Sequence, residues 1–250
     1  MTNARPISGY LEVNIDSMRE MYDNAIRCCL ENQAVKTPAE DVSVTALNDS
    51  MLQLFSIIET LDHQDDQASN VLEHEMSDLP DYGMGLLNKL FENAKLLDCD
   101  ESSAIFERLS IPLAIWFARH DLMMHDVEIV VNAVTHTANQ TQDPRLLSEL
   151  ADIIDVLVNV FSAEIKADLD KSNPGRPWRV LNLNQAIIAT RTHDPKRMET
   201  VFEQLVFRLP EDAPGFFAEG MEQMDIIDYP DHVREVMQTY FQMTNQPTLH

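Results

Sequence analysis

The chain has 250 residues, 42 acidic against 18 basic side chains, a net charge of −24 and 44% hydrophobic residues. Such a surplus of acid works against binding to phosphate backbones or anionic membranes, which takes clustered Lys and Arg, and favours solubility and basic partners. Six glycines are few for a turn-rich sandwich or barrel, and three cysteines form no disulfide framework.

The charge is uneven along the chain. Residues 51–100 carry eleven acids against two bases, 201–250 nine against two, and 151–200 seven against seven. A solvated surface accounts for such runs in general, and an acidic recognition face is the alternative.

Met1 to about Asn14 holds Pro6 and Gly9 without a hydrophobic period and reads as a loose arm. No basic region followed by an apolar stretch opens the chain, so no signal peptide is expected and a cytoplasmic location is. Residues 15–250 read as one all-helical domain, with 172–177 as the place for a subdomain break. Cys28 and Cys29 fall on a helical segment as small packing groups. With Cys99 they make no metal-ligand or redox spacing, and a reduced compartment fits them. Thr37, Pro38 and Glu40 spell a helix start with a capping box, leading into a stripe of Val42, Ala46, Met51, Leu54, Ile58 and Leu61. Asp62, Asp65 and Asp66 around His63 lack a calcium-loop spacing and read as a solvated turn.

Val71, Leu72 and Met76 suggest a short helix stopped by Pro80, Asp81 and Gly83. Leu86, Leu87, Leu90, Phe91, Ala94 and Leu97 form the next stripe. Asp100 is expected to cap a helix containing Ile105, Phe106 and Leu109, which Pro112 should kink or restart. The longest apolar run, Ile111 to Ala118, is far shorter than the ~20 residues of a membrane span and reads as the most deeply buried element.

Two later helix starts match position for position. Ala138, Thr141, Asp143, Pro144 and Arg145 correspond to Ala189, Thr192, Asp194, Pro195 and Lys196, at an offset of 51 residues. In each, a helix ends, Asp caps the next, and Pro takes its first turn. A long stripe follows the first start (Leu146, Leu147, Leu150, Ile153, Ile154, Leu157, Phe161, Ile165, Leu169). Met198, Val201, Phe202, Leu205 and Val206 follow the second. Breaks come at Asn173–Pro177 and Leu209–Pro214. Phe216, Phe217, Tyr240 and Phe241 suit either a core or a dimer seam. The pattern predicts an all-α helical array of ten or eleven helices, an irregular α–α superhelix (solenoid-like) being one arrangement it permits. No segment alternates at period two, so no sheet is expected.

Chemistry has few places to reside. His120-Asp121, followed by His125, Asp126 and Glu128, resembles the doublet of the HD-domain metal phosphohydrolases, which are themselves helical. The resemblance covers two residues. It implies a metal held by His120 and Asp121 with an upstream His, for which His63 and His74 are present, though nothing around them matches. The alternative is a helix end near Leu122 with polar residues in its turn. A di-iron bundle would need Glu three residues before two of its histidines, and no His here has one. There is no Gly-x-Ser-x-Gly elbow and no Gly-rich phosphate loop.

The segment Lys171 to Arg179 reads as exposed. Arg176, Trp178 and Arg179 around Pro174, Gly175 and Pro177 could present guanidinium forks and an aromatic face to a phosphate, a carboxylate or a partner. The alternative buries Trp178 at a helix entrance and pairs both arginines with surface acids. Together these features predict a non-enzymatic scaffold or adaptor that binds a partner protein, one with a basic surface, and uses no cofactor. A metal-dependent phosphohydrolase and an acidic mimic of nucleic acid are the alternatives.

Overall fold

A computed structural model describes residues 14–33, 43–63 and 76–245. The N-terminal arm before Asn14, the start at Thr37, Pro38 and Glu40, and Val42, Asp65, Asp66, Val71, Leu72 and His74 lie outside the described residues. The protein is all-helical: eleven helices and no strand occur among the described residues. None of these helices is long and apolar enough to cross a membrane.

The helices sort into two compact units. Unit 1 takes the chain up to Thr137 together with Asp155–Ala167, and unit 2 takes Ala138–Ile154 with Asp168 onwards. The chain therefore passes between units at 137/138, 154/155 and 167/168, and the Pro-Gly segment 173–177 lies within unit 2.

Unit 1 begins with α1 (Ile15–Gln33), which buries Met18, Tyr22, Ala25, Ile26 and Cys29 at helical spacing. Next, α2 (Val44–Asp62) starts where Ser43 Oγ accepts from the Ala46 N–H at 3.2 Å. Pro80, Asp81 and Gly83 lie in the opening turns of α3 (Leu79–Leu96), with Pro80 in the first turn, where its missing N–H costs nothing. Gly83 lets the helices pack closely, since a Cβ there would stand 3.1 Å from Leu54 Cδ2 and from Phe117 Cζ and make them give by a few tenths of an ångström.

α4 (Asp100–Arg119) is the centre of this unit. Cys99 holds its N-cap position without a side-chain cap bond, and Asp100 lies inside the first turn, where its charge suits the helix dipole. Pro112 neither ends nor restarts α4, which runs through it. Burial from Leu109 to Phe117 on every face holds the helix in place despite the donor that Pro112 lacks. Tyr22 meets Phe55 edge-on with ring centroids 5.4 Å apart, and its hydroxyl donates to Asn48 Oδ1 at 3.1 Å.

After α5 (Glu128–Gln140), the long stripe expected from Leu146 to Leu169 is divided. α6 (Pro144–Val160) ends before Phe161, and Ser162 then leads into the short α7 (Ala163–Ala167). Phe161 is withdrawn from the helix by an isolated parallel bridge with Met124. The Met124 N–H donates to Val160 O at 2.8 Å, and Met124 O accepts from the Ser162 N–H at 2.9 Å.

Unit 2 adds two helical hairpins, α8 (Pro177–Thr192) with α9 (Pro195–Arg208), and α10 (Ala213–Ile226) with α11 (Asp231–Asn245). Its core is aromatic. Phe202 meets Phe217 at 5.0 Å and Tyr240 at 5.3 Å, both edge-on, and Phe217 stacks on Tyr240 at 5.5 Å. Phe217 and Tyr240 are therefore core residues, while Phe216 and Phe241 are half-buried. At Gly220 a Cβ would come within 2.8 Å of Met237 Sδ, so a larger residue there would make the flexible Met237 side chain move.

With six glycines in the chain, other residues occupy the left-handed positions that close helices. Asp98, Asp121, Asp168 and His193 have φ of 57°, 54°, 48° and 57°. Asp tolerates this conformation better than most side chains do.

Candidate functional site

The arginine-rich segment folds inward. Arg176, expected at the surface, is 8% exposed, and Trp178 is 5% exposed. Arg176 Nε donates to Asp168 Oδ1 at 2.6 Å, its NH2 to Asp212 Oδ2 at 3.0 Å, and its NH1 to Asn173 O at 3.1 Å. Arg179 Nε donates to the other oxygen of Asp212 at 2.6 Å, and Lys171 pairs with Asp168 at 3.1 Å. Burial alone would weaken the charge on Arg176, but its bonds to Asp168 and Asp212 outweigh that and raise its pKa. Trp178 lies in the first turn of α8 under the Arg208 guanidinium, 5.7 Å from the ring centroid. The donors through which Arg176 and Arg179 would grip a ligand are thus engaged with this chain's own aspartates and carbonyls. The segment acts as a clasp that ties the loop before α8 to the start of α10.

His120 and Asp121 sit at the end of α4, in unit 1. His120 Nδ1 donates to Trp116 O at 3.0 Å and its ring stacks on Trp116 at 4.0 Å. Its Nε2 stands 3.9 Å from Asp62 Oδ1, which already accepts from Trp116 Nε1 at 2.8 Å. Asp121 is exposed in the left-handed turn that closes the helix. His125 belongs to a separate node, where Asp81 accepts from the His125 and Asp126 N–H groups at 2.7 and 2.9 Å and from His125 Nδ1 at 2.9 Å. Burial first, then the Asp81 charge, raises the Asp126 pKa. Among the described residues no group of three or more His, Cys, Asp or Glu side chains is arranged to hold a metal ion.

The twin helix starts take the same geometry, both inside unit 2. Asp143 accepts from the Arg145 N–H at 2.9 Å and Asp194 from the Lys196 N–H at 3.0 Å. Thr141 and Thr192 each accept from the N–H of the aspartate two residues on, at 3.3 Å in both cases. The turns are also joined to one another. Arg191, in the last turn of α8, donates to Ala138 O at 2.7 Å and to Thr141 O, closing the C-terminal end of α5. Arg197 bonds Asp152 at 2.8 Å and Ser148 at 3.2 Å on α6. In turn His232 Nε2 donates to His193 O at 3.1 Å, and His193 meets Tyr229 edge-on at 5.5 Å. The three turns, 141–143, 192–194 and 227–230, therefore follow each other along one edge of unit 2.

The last of these turns is unlike the others. Ile226 is 77% exposed and Ile227, beside it, 49% exposed. Asp225 and Asp228 bracket them. From Glu211 to Asn245 the exposed acids are Glu211, Glu219, Glu222, Asp225, Asp228, Asp231 and Glu235. The one Lys or Arg in that span, Arg234, is taken up by Asp225 at 2.9 Å and Met224 O. An apolar pair standing in a one-sided acidic field is the feature of this surface best suited to recognition. Helical spacing alone does not set Ile226 and Ile227 apart from a buried stripe. The signal that spacing overlooks is the doublet of β-branched residues enclosed by aspartates just before Pro230.

No protein-family model, no curated protein and no solved structure matches the chain.

Proposed function

We propose that the protein is a non-enzymatic binding module whose α10–α11 turn takes a basic, amphipathic segment of a partner protein. The observation that carries this reading is the exposed pair Ile226 and Ile227 among exposed acids that outnumber the one Lys or Arg of the span 211–245, Arg234, which is already bound to Asp225. Lysines or arginines of the partner would be drawn by Glu222, Asp228 and Asp231, while an apolar side chain covers the isoleucines. In this reading unit 2 is a stack of repeated helix pairs. The twin caps and the arginine ties between turns support it, and stacked pairs present the long surfaces that such modules use.

The test uses a 20-residue helical peptide of Lys and Leu, with a Glu and Leu peptide as control, titrated in steps of salt. The Lys peptide should bind and lose affinity as salt rises. The double variant Ile226→Ser/Ile227→Ser should bind about tenfold more weakly, because roughly 1.4 kcal/mol of apolar burial goes with it. The variant Glu222→Gln/Asp228→Asn should flatten the salt dependence. Equal binding of the Glu peptide, or no effect of the isoleucine changes, would overturn the proposal.

A further inference from the structure

Three thiols from two distant parts of the chain lie in unit 1. Cys28 and Cys29 are near the end of α1, and Cys99 stands at the head of α4. Asn32, one turn beyond Cys28, places its Nδ2 3.3 Å from Cys99 Sγ and 3.9 Å from Cys28 Sγ, and donates to Leu97 O at 3.0 Å. Cys28 Sγ and Cys99 Sγ thus both lie against the one Asn32 amide. Cys29 and Cys99 are buried, and Cys28 is half-buried.

The arrangement restricts which thiols can pair. Consecutive residues on a helix diverge by ~100° about its axis, so Cys28 and Cys29 are poorly placed to join each other. Cys99 is common to every other pair. Burial raises the pKa of Cys29 and pushes that of Cys99 up to about 12, so both stay protonated at neutral pH. Cys28 has the most access to solvent of the three, and an oxidant meets it first.

We propose that Cys28 and Cys99 form a reversible disulfide when the protein encounters a peroxide. The Cys28 thiolate attacks one peroxide oxygen. The S–O bond forms, the O–O bond breaks, and the departing hydroxide takes a proton and leaves as water. Cys99 Sγ then attacks the Cys28 sulfenic sulfur. The S–S bond forms, the S–O bond breaks, and the second hydroxide leaves as water with the proton from Cys99. Two thiols are oxidised and one hydrogen peroxide is reduced to two waters. A dithiol reductant reverses the bond by exchange. Asn32 Nδ2, facing both sulfurs, holds them side by side for the second step.

The test treats the purified full chain with equimolar hydrogen peroxide, blocks free thiols with an alkylating agent, and maps the peptides by mass. The expected result is a mass lower by two hydrogens, a linked pair of peptides containing Cys28 and Cys99, alkylated Cys29, and full recovery of three thiols after dithiothreitol. Cys28→Ser should abolish the link and leave Cys99 free. Because Cys99→Ser alters a buried position, the half-buried Cys28→Ala serves as the second variant, with helicity checked by circular dichroism. A link through Cys29, three free thiols, a bond between two chains, or Cys28 carried to the sulfinic acid with Cys99 still free would each overturn the proposal.

Discussion

Unit 1 and unit 2 bury comparable kinds of helix by different chemistry. Unit 1 encloses one helix on all sides: along α4, every residue from Leu109 to Phe117 is buried. Its polar bonds join single side chains both near and far in sequence: Ser110 Oγ donates to Glu107 O at 2.6 Å, and the Glu107 carboxylate accepts from His136 Nδ1, 29 residues on, at 2.8 Å. Unit 2 has no such enclosed helix. Its helix pairs each bury one stripe, and arginines bind one pair to the next: Arg191 to the end of α5, Arg197 to α6, Arg176 and Arg179 to Asp212. Burial without direction makes a closed core, whereas directed charged bonds make layers that leave edges and turns outside. The candidate surface lies where the second kind of construction leaves it.

That contrast can be broken at its strongest points. Phe106→Ala in unit 1 removes a fully buried ring and should cost about 3–5 kcal/mol in urea unfolding, with little dependence on salt. Arg176→Ala in unit 2 leaves Asp168, whose side chain is 4% exposed, without its buried partner, and should cost about 3–5 kcal/mol. If Arg176→Ala proved neutral, unit 2 would be held by its aromatic core alone and the comparison would fail. Arg191→Ala removes charged bonds to two helix-end carbonyls and should cost about 2 kcal/mol. Its effect should grow less at high salt, because the site is partly exposed. The smallest effect has the opposite sign: Asp121→Gly relieves the left-handed turn after α4 and should stabilise unit 1 by up to about 1 kcal/mol. Thermal melts would detect it, and a loss of stability would mean that the Asp121 side chain has a partner of its own.

The all-α class was legible because the stripes in α1, α2, α6 and α9 repeat at the spacing that a buried helix face requires. The twin caps were legible because capping is decided within four residues, and Asp143 and Asp194 behave alike. Proline was the ambiguous signal. Pro80, read as a stop, also opens the next helix, and Pro112 rides inside one, because its effect depends on burial that no local pattern contains. Distance along the chain hid the rest. Nothing near Arg176 in sequence announces Asp212, 36 positions on, and nothing near Cys28 announces Cys99. The exposure of Ile226 and Ile227 was missed for the converse reason, since an apolar residue at helical spacing looks the same whether its stripe is covered or bare.

The path of α6 has a consequence for how the protein is made. Its first part, to Ile154, belongs to unit 2, while its last residues join unit 1, which is complete only at Ala167. Synthesis runs from the N-terminus at about 5–20 residues per second. Unit 1 must therefore wait, without the buried side chains of Leu157 and Phe161, until a stretch destined for unit 2 has already left the ribosome. No single cut yields either unit whole, and a ribosome stalled at Gln140 would display the N-terminal helices with part of their hydrophobic interior missing.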